Sequence, residues 1–387
     1  MDDDDGASRV VPMKVGQVTH LHRPSIGGIE NYVHRLNDHL RESGHDVTTY
    51  TTDMSLADDS PYDRDPDAVY CDTTVAPLRN PFSLGLHRAV GRSDEDVYHL
   101  HSPYFLTSLE AAHAIPDGRP TVMTVHGTLT DKSPTMRVLR RIYKPFAGYV
   151  FDRVDHSFVQ GPTERDRLLD RYGLDSDEVT IVPNGIDTQA YDVEDGAVEA
   201  FHDTYGIDPS TPTVLYVSRL IPEKNPGVFV DAVTEHLGDR EMQAVLIGSG
   251  DDGFVAELED RADDRVVFLE NLPFDDVKAA YHAADVFVFL GTWEGLPTVI
   301  LEAMNGRLPI VSTTVGEVPH YLDGDNGVLL DSPPSPSAVA DAVAGYLDEP
   351  ERADAVGERN RADVRANHEW RDMAAAMAAT YDEVVEG

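Results

Sequence analysis

Short, unbroken apolar runs recur along this chain with amphipathic stretches between them, and the series is played through twice. The first set of strand candidates is 15–19, 47–52, 96–100, 121–125, 157–159 and 179–182. The second set is 213–218, 243–247, 266–268, 286–290 and 308–312. Runs this short, without polar alternation, suit parallel strands covered by helices on both faces. Between the first two runs, Ile29, Val33, Leu36 and Leu40 fall at helical spacing, which predicts a helix over about 28–42 ended near Gly44. Further helices are predicted over 226–235 and, from its Ala and Met content, over 370–385. Segments 53–68 and 331–336, dense in Asp and Pro, read as loops. The expectation is an α/β protein of two Rossmann-like, doubly wound domains facing an interdomain cleft. Ligands of such sheets bind beyond the carboxyl ends of the strands.

The length of 387 residues suits two domains. We expect an acidic, disordered tail over 1–12, one domain over 13–190 and a second over 191–366. A terminal helix, 367–387, is expected to pack back on the first domain. Met13 is an alternative start. The chain carries 31 Lys and Arg against 70 Asp and Glu, a net charge of −39. Such a field repels phosphate backbones, so no nucleic-acid partner is expected. Only five of the basic residues are Lys. Abundant Asp with scarce Lys resembles proteins adapted to molar salt, where screening shortens to a few ångströms; a merely acidic protein is the alternative. Cys71 is the single cysteine, which excludes an intramolecular disulfide and a Cys-based metal site. No run approaches the ~20 apolar residues of a membrane span. Asp2 to Asp5 are the opposite of a signal peptide's basic start, so a cytoplasmic location is expected.

Three segments carry chemistry. Ser25-Ile26-Gly27-Gly28-Ile29-Glu30 joins the first strand to a helix, where glycines admit a ligand to free backbone N–H groups. A tight turn without a ligand explains that segment equally well. In Ser218-Arg219-Leu220-Ile221-Pro222-Glu223-Lys224-Asn225, a guanidinium and an ammonium stand at the end of a strand and suit a diphosphate. The third segment runs from Gly291 to Met304. Glu294 lies in its loop, Pro297 sits at the first helical turn, and Glu302 falls on an otherwise apolar helix. Two carboxylates placed so can grip hydroxyls at two ends of a polar ligand, with the N–H groups of Gly295, Leu296 and Thr298 between them.

Glu294-x7-Glu302, with Glu-Gly-Leu-Pro at its start and Leu-Glu-Ala-Met at its end, resembles glycosyltransferase family 4, a group of retaining GT-B enzymes. Gly27-Gly28-Ile29-Glu30, Val122 to Gly127 with His126, Pro183-Asn184-Gly185-Ile186-Asp187, Arg219 with Lys224-Asn225, Gly248-Ser249-Gly250 and Gly316-Glu317-Val318-Pro319 resemble its other segments, in order. The resemblance covers about 14–385 and implies concrete roles. The first domain would take the acceptor and the second a nucleoside-diphosphate sugar. Arg219 and Lys224 would hold the donor diphosphate, Glu302 the ribose and Glu294 the donor sugar. Gly27 and Gly28 would lie against the phosphates, and His126 beside the reacting centre, with Gly295, Leu296, Pro297 and Thr298 completing the donor site. His126, Glu294, Arg219 and Lys224 are thus the catalytic candidates. No cofactor and no metal are implied, and the spacing of His and Asp suggests no ligand cluster. Ser218, Gln160 and Asn305-Gly306-Arg307 depart from the family's usual residues. Glu270 and Asn271 are candidates to face the base.

His101 is the better acceptor-side candidate of His99 and His101, while His87 and His236 read as surface residues. Segment 132–153 has a net charge of +5 and carries Tyr143, Phe146, Tyr149 and Phe151. Two readings stand side by side: a solvated helix that pairs with the acidic surface, or a peripheral contact with anionic lipid at the inner face of a membrane. The favoured activity is retaining transfer to a lipid-linked saccharide or glycolipid for surface glycans. A GT-B sugar-nucleotide epimerase and a noncatalytic sugar-nucleotide-binding subunit are the rivals.

Overall fold

The computed structural model describes residues 11–25, 27–54, 62–127, 134–238, 240–292 and 294–387, without the side chains of 134–136, 139 and 140. The tail expected over 1–12 therefore lies outside the described residues, except for its last two. The chain forms two compact units, 1–182 with 370–387, and 183–369.

Unit 1 is built from β1 (Lys14–Val18), α1 (Gly28–Glu42), β2 (Asp46–Thr52), β3 (Ala68–Cys71), α2 (Leu84–Val90), β4 (Val97–His101), α3 (Leu106–Ala114), β5 (Thr121–Val125), α4 (Pro134–Phe151), β6 (His156–Val159), α5 (Pro162–Tyr172) and β7 (Val179–Ile181). Its seven strands lie in the order β3-β2-β1-β4-β5-β6-β7, every pair parallel. Strand alternation divides the core. Val18, Leu100, Met123 and Val159 face the layer that includes α2, α3, α4 and α5. Val15, Val97, Val122 and Phe158 face Tyr32, Leu36 and Leu40 of α1 together with Trp370, Met377 and Tyr381 near the C-terminus.

Unit 2 contains α6 (Ala197–Tyr205), β8 (Thr213–Val217), α7 (Pro226–Asp231), β9 (Gln243–Ile247), α8 (Asp252–Arg261), β10 (Val266–Leu269), α9 (Phe274–Ala283), β11 (Val286–Phe289), α10 (Thr298–Asn305), β12 (Ile310–Thr313), β13 (Gly327–Leu330), α11 (Pro336–Leu347) and α12 (Pro350–Asn367). Its six strands run β10-β9-β8-β11-β12-β13, again all parallel. The final helix, α13 (Trp370–Glu386), belongs to unit 1. In each sheet the order reverses beside the first strand, between β1 and β4 and between β8 and β11. That is where a doubly wound sheet opens a crevice.

The observed boundaries, 182/183 and 369/370, differ from the expected 190/191 and 366/367. Hydrogen bonds explain the first shift. Asn184 Nδ2 donates to the Leu296 carbonyl at 2.5 Å, His368 Nδ1 pairs with the Asn184 carbonyl at 3.0 Å, and Asn305 Nδ2 donates to the Thr188 carbonyl at 3.0 Å. The residues after β7 are thus bound into unit 2. Two strands escaped the sequence pattern. β3 overlaps the segment read as a loop, and β13 follows an acidic turn; both are four-residue edge strands without a marked apolar run. The helix predicted over 226–235 is α7 continued by a π turn over Ala232–His236. His236 is exposed as expected, but His87 is half-buried and stacks on His113 at 5.6 Å.

Met377 is fully buried on α13, and its sulfur accepts the Tyr32 hydroxyl of α1 at 3.7 Å. Met377→Ala leaves a cavity between two helices and a sheet, with an expected loss of about 2–5 kcal/mol. Chemical denaturation of the full chain should show the shift, while exposed Glu386→Ala should leave the midpoint unmoved.

Candidate active site

In unit 2 the crevice lies between the loops that follow β8 and β11. The β8 loop is folded against the sheet: the Tyr216 hydroxyl donates to the Lys224 carbonyl at 2.6 Å and Asn225 Nδ2 to the Leu290 carbonyl at 2.7 Å. Thr292 returns the contact, its amide and hydroxyl both donating to the Glu223 carbonyl at 3.0 Å. These bonds bring the Lys224 ammonium onto Glu294 Oε1. The same ammonium stands 5.5 Å from the Phe289 ring centroid. Burial, then the Arg219 guanidinium, lower the Lys224 pKa to about 8. Arg219 itself is exposed.

Glu294 is held from behind. A Cβ at Gly316 would run into the carbonyl oxygens of Glu294 and Gly295, so only glycine lets these two loops meet. The Gly295 carbonyl accepts from the Glu317 amide at 3.0 Å, and buried Leu296 has its carbonyl taken by Asn184. Pro297 then leads into α10, whose first turn has no side-chain cap. Glu302, one turn further, accepts the Tyr281 hydroxyl at 2.7 Å and is also hydrogen-bonded by Tyr191 and Thr298. Burial raises its pKa, and those three hydroxyls oppose the rise. The structure thus joins Glu294 to Lys224, while Glu302 is met by tyrosines the sequence had not nominated. Tyr191 and Tyr281 carry no local signal, since only the fold brings them to α10. Glu270 and Asn271 are exposed after β10.

In unit 1 the crevice lies beyond β1, β4 and β5. Gly27 is extended and caps α1 without a side-chain bond. A Cβ at Gly28 would meet nothing within 4 Å, so packing within the protein does not demand glycine there. Glu30 is buried, its pKa raised by desolvation. His126 follows β5, and burial, then His20, lower its pKa to about 3. Its Nε2 pairs with His101 Nδ1 at 3.0 Å, and His101 Nε2 pairs with Gln17 Oε1 at 2.7 Å. His99, the other strand histidine, is held between the Tyr381 hydroxyl at 2.6 Å and Thr124 Oγ1 at 2.7 Å. His101 therefore reaches His126 directly, whereas His99 is tied to α13. Gln17 was missed, and its one signal is a polar residue inside an apolar run.

The fold also gathers His22, His34 and Asp65, with one ligand atom of each within 4.8 Å of the others, a grouping invisible in sequence spacing. Asp65 already accepts from His22 Nε2 at 3.0 Å and from the Asp67 amide at 2.9 Å, with Arg41 at 3.6 Å. The carboxylate is matched by protein donors and a guanidinium, as in an ion-pair network.

Residues 26–190 match the family described as Glycosyltransferase Family 4, and residues 211–349 match Glycosyl transferases group 1. Each covers most of one sheet and its crevice loops. The chain is a GT-B glycosyltransferase. It is 28% identical over 382 residues to a GDP-mannose-dependent alpha-(1-6)-phosphatidylinositol monomannoside mannosyltransferase of Mycolicibacterium smegmatis, covering 93% of this chain and 96% of that protein. It is 29% identical over 246 residues to a D-inositol 3-phosphate glycosyltransferase of Corynebacterium glutamicum, covering 60% of this chain and 58% of that protein. The structure of Anabaena HepE in complex with UDP is similar with a TM-score of 0.78 at 18% identity, over 96% of this chain and 100% of that one.

In this glycosyltransferase the Lys224 amine has a distinctive titration. Competitive acylation should label it with a midpoint near pH 8, well below an ordinary lysine. Glu294→Gln removes the negative charge that favours the ammonium, so the midpoint should move lower still. A midpoint above pH 10 in either protein would contradict the burial of this group.

Proposed function

We propose that this GT-B enzyme transfers a sugar, with retention of configuration, from a nucleoside-diphosphate sugar to a hydroxyl of a glycolipid or lipid-linked saccharide. The observation that carries the reading is the Lys224–Glu294 pair beside Arg219 at the switch point of unit 2. A donor diphosphate would take the ammonium from Glu294 and complete its charge with Arg219. Glu294, released, would accept hydroxyls of the donor sugar. Glu302, oriented by Tyr281 and Tyr191, would take ribose hydroxyls. The backbone at Gly27 and Gly28, at the uncapped start of α1, would lie against the phosphates.

Bond changes balance without a protein nucleophile. The bond from the anomeric carbon to the leaving phosphate oxygen breaks, and the acceptor oxygen bonds to that carbon on the same face. The acceptor proton passes to the departing diphosphate. Arg219 and Lys224 stabilise the charge that develops there. His126, neutral at physiological pH, would act on the sugar through hydrogen bonding. The donor is a substrate, and the reading invokes no cofactor or metal.

Two things support a lipid acceptor. One is the activity for which the mycobacterial relative is named, on a phosphatidylinositol monomannoside. The other is α4. Val138, Ile142 and Phe146 repeat every four residues and are 61%, 55% and 49% exposed. Exposed Arg137, Arg141 and Lys144 accompany them. An apolar stripe with cationic flanks suits an anionic membrane surface, and it is out of character in a chain of net charge −39. No helix among the described residues is long and apolar enough to cross a membrane. We therefore place the enzyme peripherally at the cytoplasmic face. The excess of acid marks it as adapted to molar salt.

The test is a binding and turnover panel of UDP-, GDP- and ADP-sugars in molar KCl, with and without a glycolipid acceptor. One donor should bind and pass its sugar to the acceptor. Arg219→Ala and Lys224→Ala should each weaken nucleoside diphosphate binding by roughly 10- to 100-fold. An isomerised donor would turn the assignment to an epimerase, and no donor binding by folded protein would remove it. For the membrane, Ile142→Asp should abolish co-sedimentation with anionic vesicles in molar KCl. Arg141→Ala should matter only at low salt, because charge is screened and apolar burial is not. Equal co-sedimentation of wild type and Ile142→Asp would exclude α4 as the contact.

A further inference from the structure

We propose that Gln17, acting through His101, holds the single proton of His126 on Nε2, leaving Nδ1 to accept a hydrogen bond from a hydroxyl of the bound sugar. The proposal rests on the reading that His126 lines the sugar site, and it goes beyond that reading by assigning two positioning residues and the direction of the bond.

The argument is one of counting donors and acceptors. A neutral imidazole has one N–H and one lone pair. Burial keeps His101 and His126 neutral, with the His126 pKa near 3 and that of His101 also well below its ordinary value. Gln17 Oε1 can only accept, so the 2.7 Å bond places the His101 proton on Nε2. His101 Nδ1 then holds the lone pair. The 3.0 Å bond to His126 Nε2 therefore needs a proton from His126. That consumes the only proton His126 has, and its Nδ1, which neither bond occupies, keeps the lone pair. A lone pair selects an O–H or N–H and rejects a carbonyl or phosphate oxygen.

The surroundings hold this arrangement in place. Gln17 and His101 are both fully buried, on neighbouring strands β1 and β4, and on the sheet face that α1 and α13 cover. The Gln17 carbonyl is the atom that reaches His101, and its amide nitrogen is buried without a hydrogen-bond partner among the described residues. His101 stacks between His99, at 4.4 Å between ring centroids, and His126, at 5.3 Å. The Tyr32 ring meets His126 edge-on at 4.7 Å. The rings have little freedom to turn over and exchange their nitrogens.

The tautomer can be read directly in the full chain, labelled with 15N-histidine, with His126 assigned by loss of its signals in His126→Asn. Wild type should show a protonated Nε2 and a bare Nδ1. Gln17→Leu removes the acceptor and should let the Nδ1–H form of His126 appear, while Gln17→Glu, which still accepts, should keep the wild-type form. His101→Phe breaks the same chain and serves if Gln17→Leu does not fold. In Gln17→Leu the KM for the sugar nucleotide should rise about tenfold, the scale of one hydrogen bond, with affinity for the bare nucleoside diphosphate unchanged. An Nδ1–H tautomer in wild type, or one unmoved by Gln17→Leu and His101→Phe alike, overturns the relay. A tautomer that flips while sugar-nucleotide KM stays constant overturns the sugar contact. Loss of binding confined to Lys224→Ala and Arg219→Ala, with His126→Asn fully active, would locate the failure in the placement of His126.

Discussion

A parallel sheet covered on both faces leaves no water for polar side chains along its strands, and much of the chemistry of unit 1 follows from that constraint. Gln17, His99, His101 and Thr124 lie on the face covered by α1 and α13, all essentially inaccessible. Each must be satisfied by protein partners or pay the desolvation cost. Both ring nitrogens of His99 and of His101 find protein partners, while the Gln17 amide nitrogen goes unpaired, and the outcome is a set of neutral histidines held by directed hydrogen bonds. Further along the same strands, where the sheet gives way to loops, that order is delivered to His126. The position of the proton on a residue at the crevice is thus tied to its neighbours across the sheet.

Unit 2 builds its crevice with a different device. Its crevice is lined by loops, and the groups that converge there carry charge. Lys224 is drawn partly out of solvent and answered by Glu294, so neither charge stands uncompensated. The supports are backbone bonds: the Tyr216 hydroxyl under Lys224, Thr292 on Glu223, and the carbonyls of Glu294 and Gly295 packed on Gly316. Sites of this kind hold their geometry through main-chain contacts, which tolerate change at the side chains between them. The unusual Asn305-Gly306-Arg307 turn shows that tolerance. Arg307 adopts a φ of 64°, and its backbone packs on Gly357, where a Cβ would collide with the Arg307 carbonyl. Asn305 is spent on the Thr188 carbonyl and on Arg365.

The alternation of apolar runs and amphipathic stretches made the two sheets legible, because central parallel strands must be apolar on both faces. Edge strands have one free side and relax that requirement, which is why β3 and β13 did not stand out. Arg219, Lys224, Glu294 and Glu302 were singled out in the sequence, the first three as charges in loops at strand ends and Glu302 as a carboxylate on an otherwise apolar helix, and the fold pairs Lys224 with Glu294. Gln17, Tyr191 and Tyr281 were not, since their roles depend on pairing across strands or between distant helices. The boundary after β7 was misplaced for a similar reason. Asn184 and His368 are separated by most of unit 2 in sequence and joined by one hydrogen bond in the fold.

The return of α13 to unit 1 has a consequence for the way the chain is made. Unit 2 is an uninterrupted stretch, 183–369, enclosed within the two parts of unit 1. On the ribosome it can complete its core as soon as it has emerged. Unit 1 cannot, although nearly all of it is synthesised first. The partners of Tyr32, His99 and Phe158 on α13 are translated after all of unit 2. For the whole time unit 2 is being made, one face of the seven-stranded sheet lacks part of its cover, and its histidines remain within reach of water. The neutral, ordered state of that layer is therefore acquired only after unit 2 has been made.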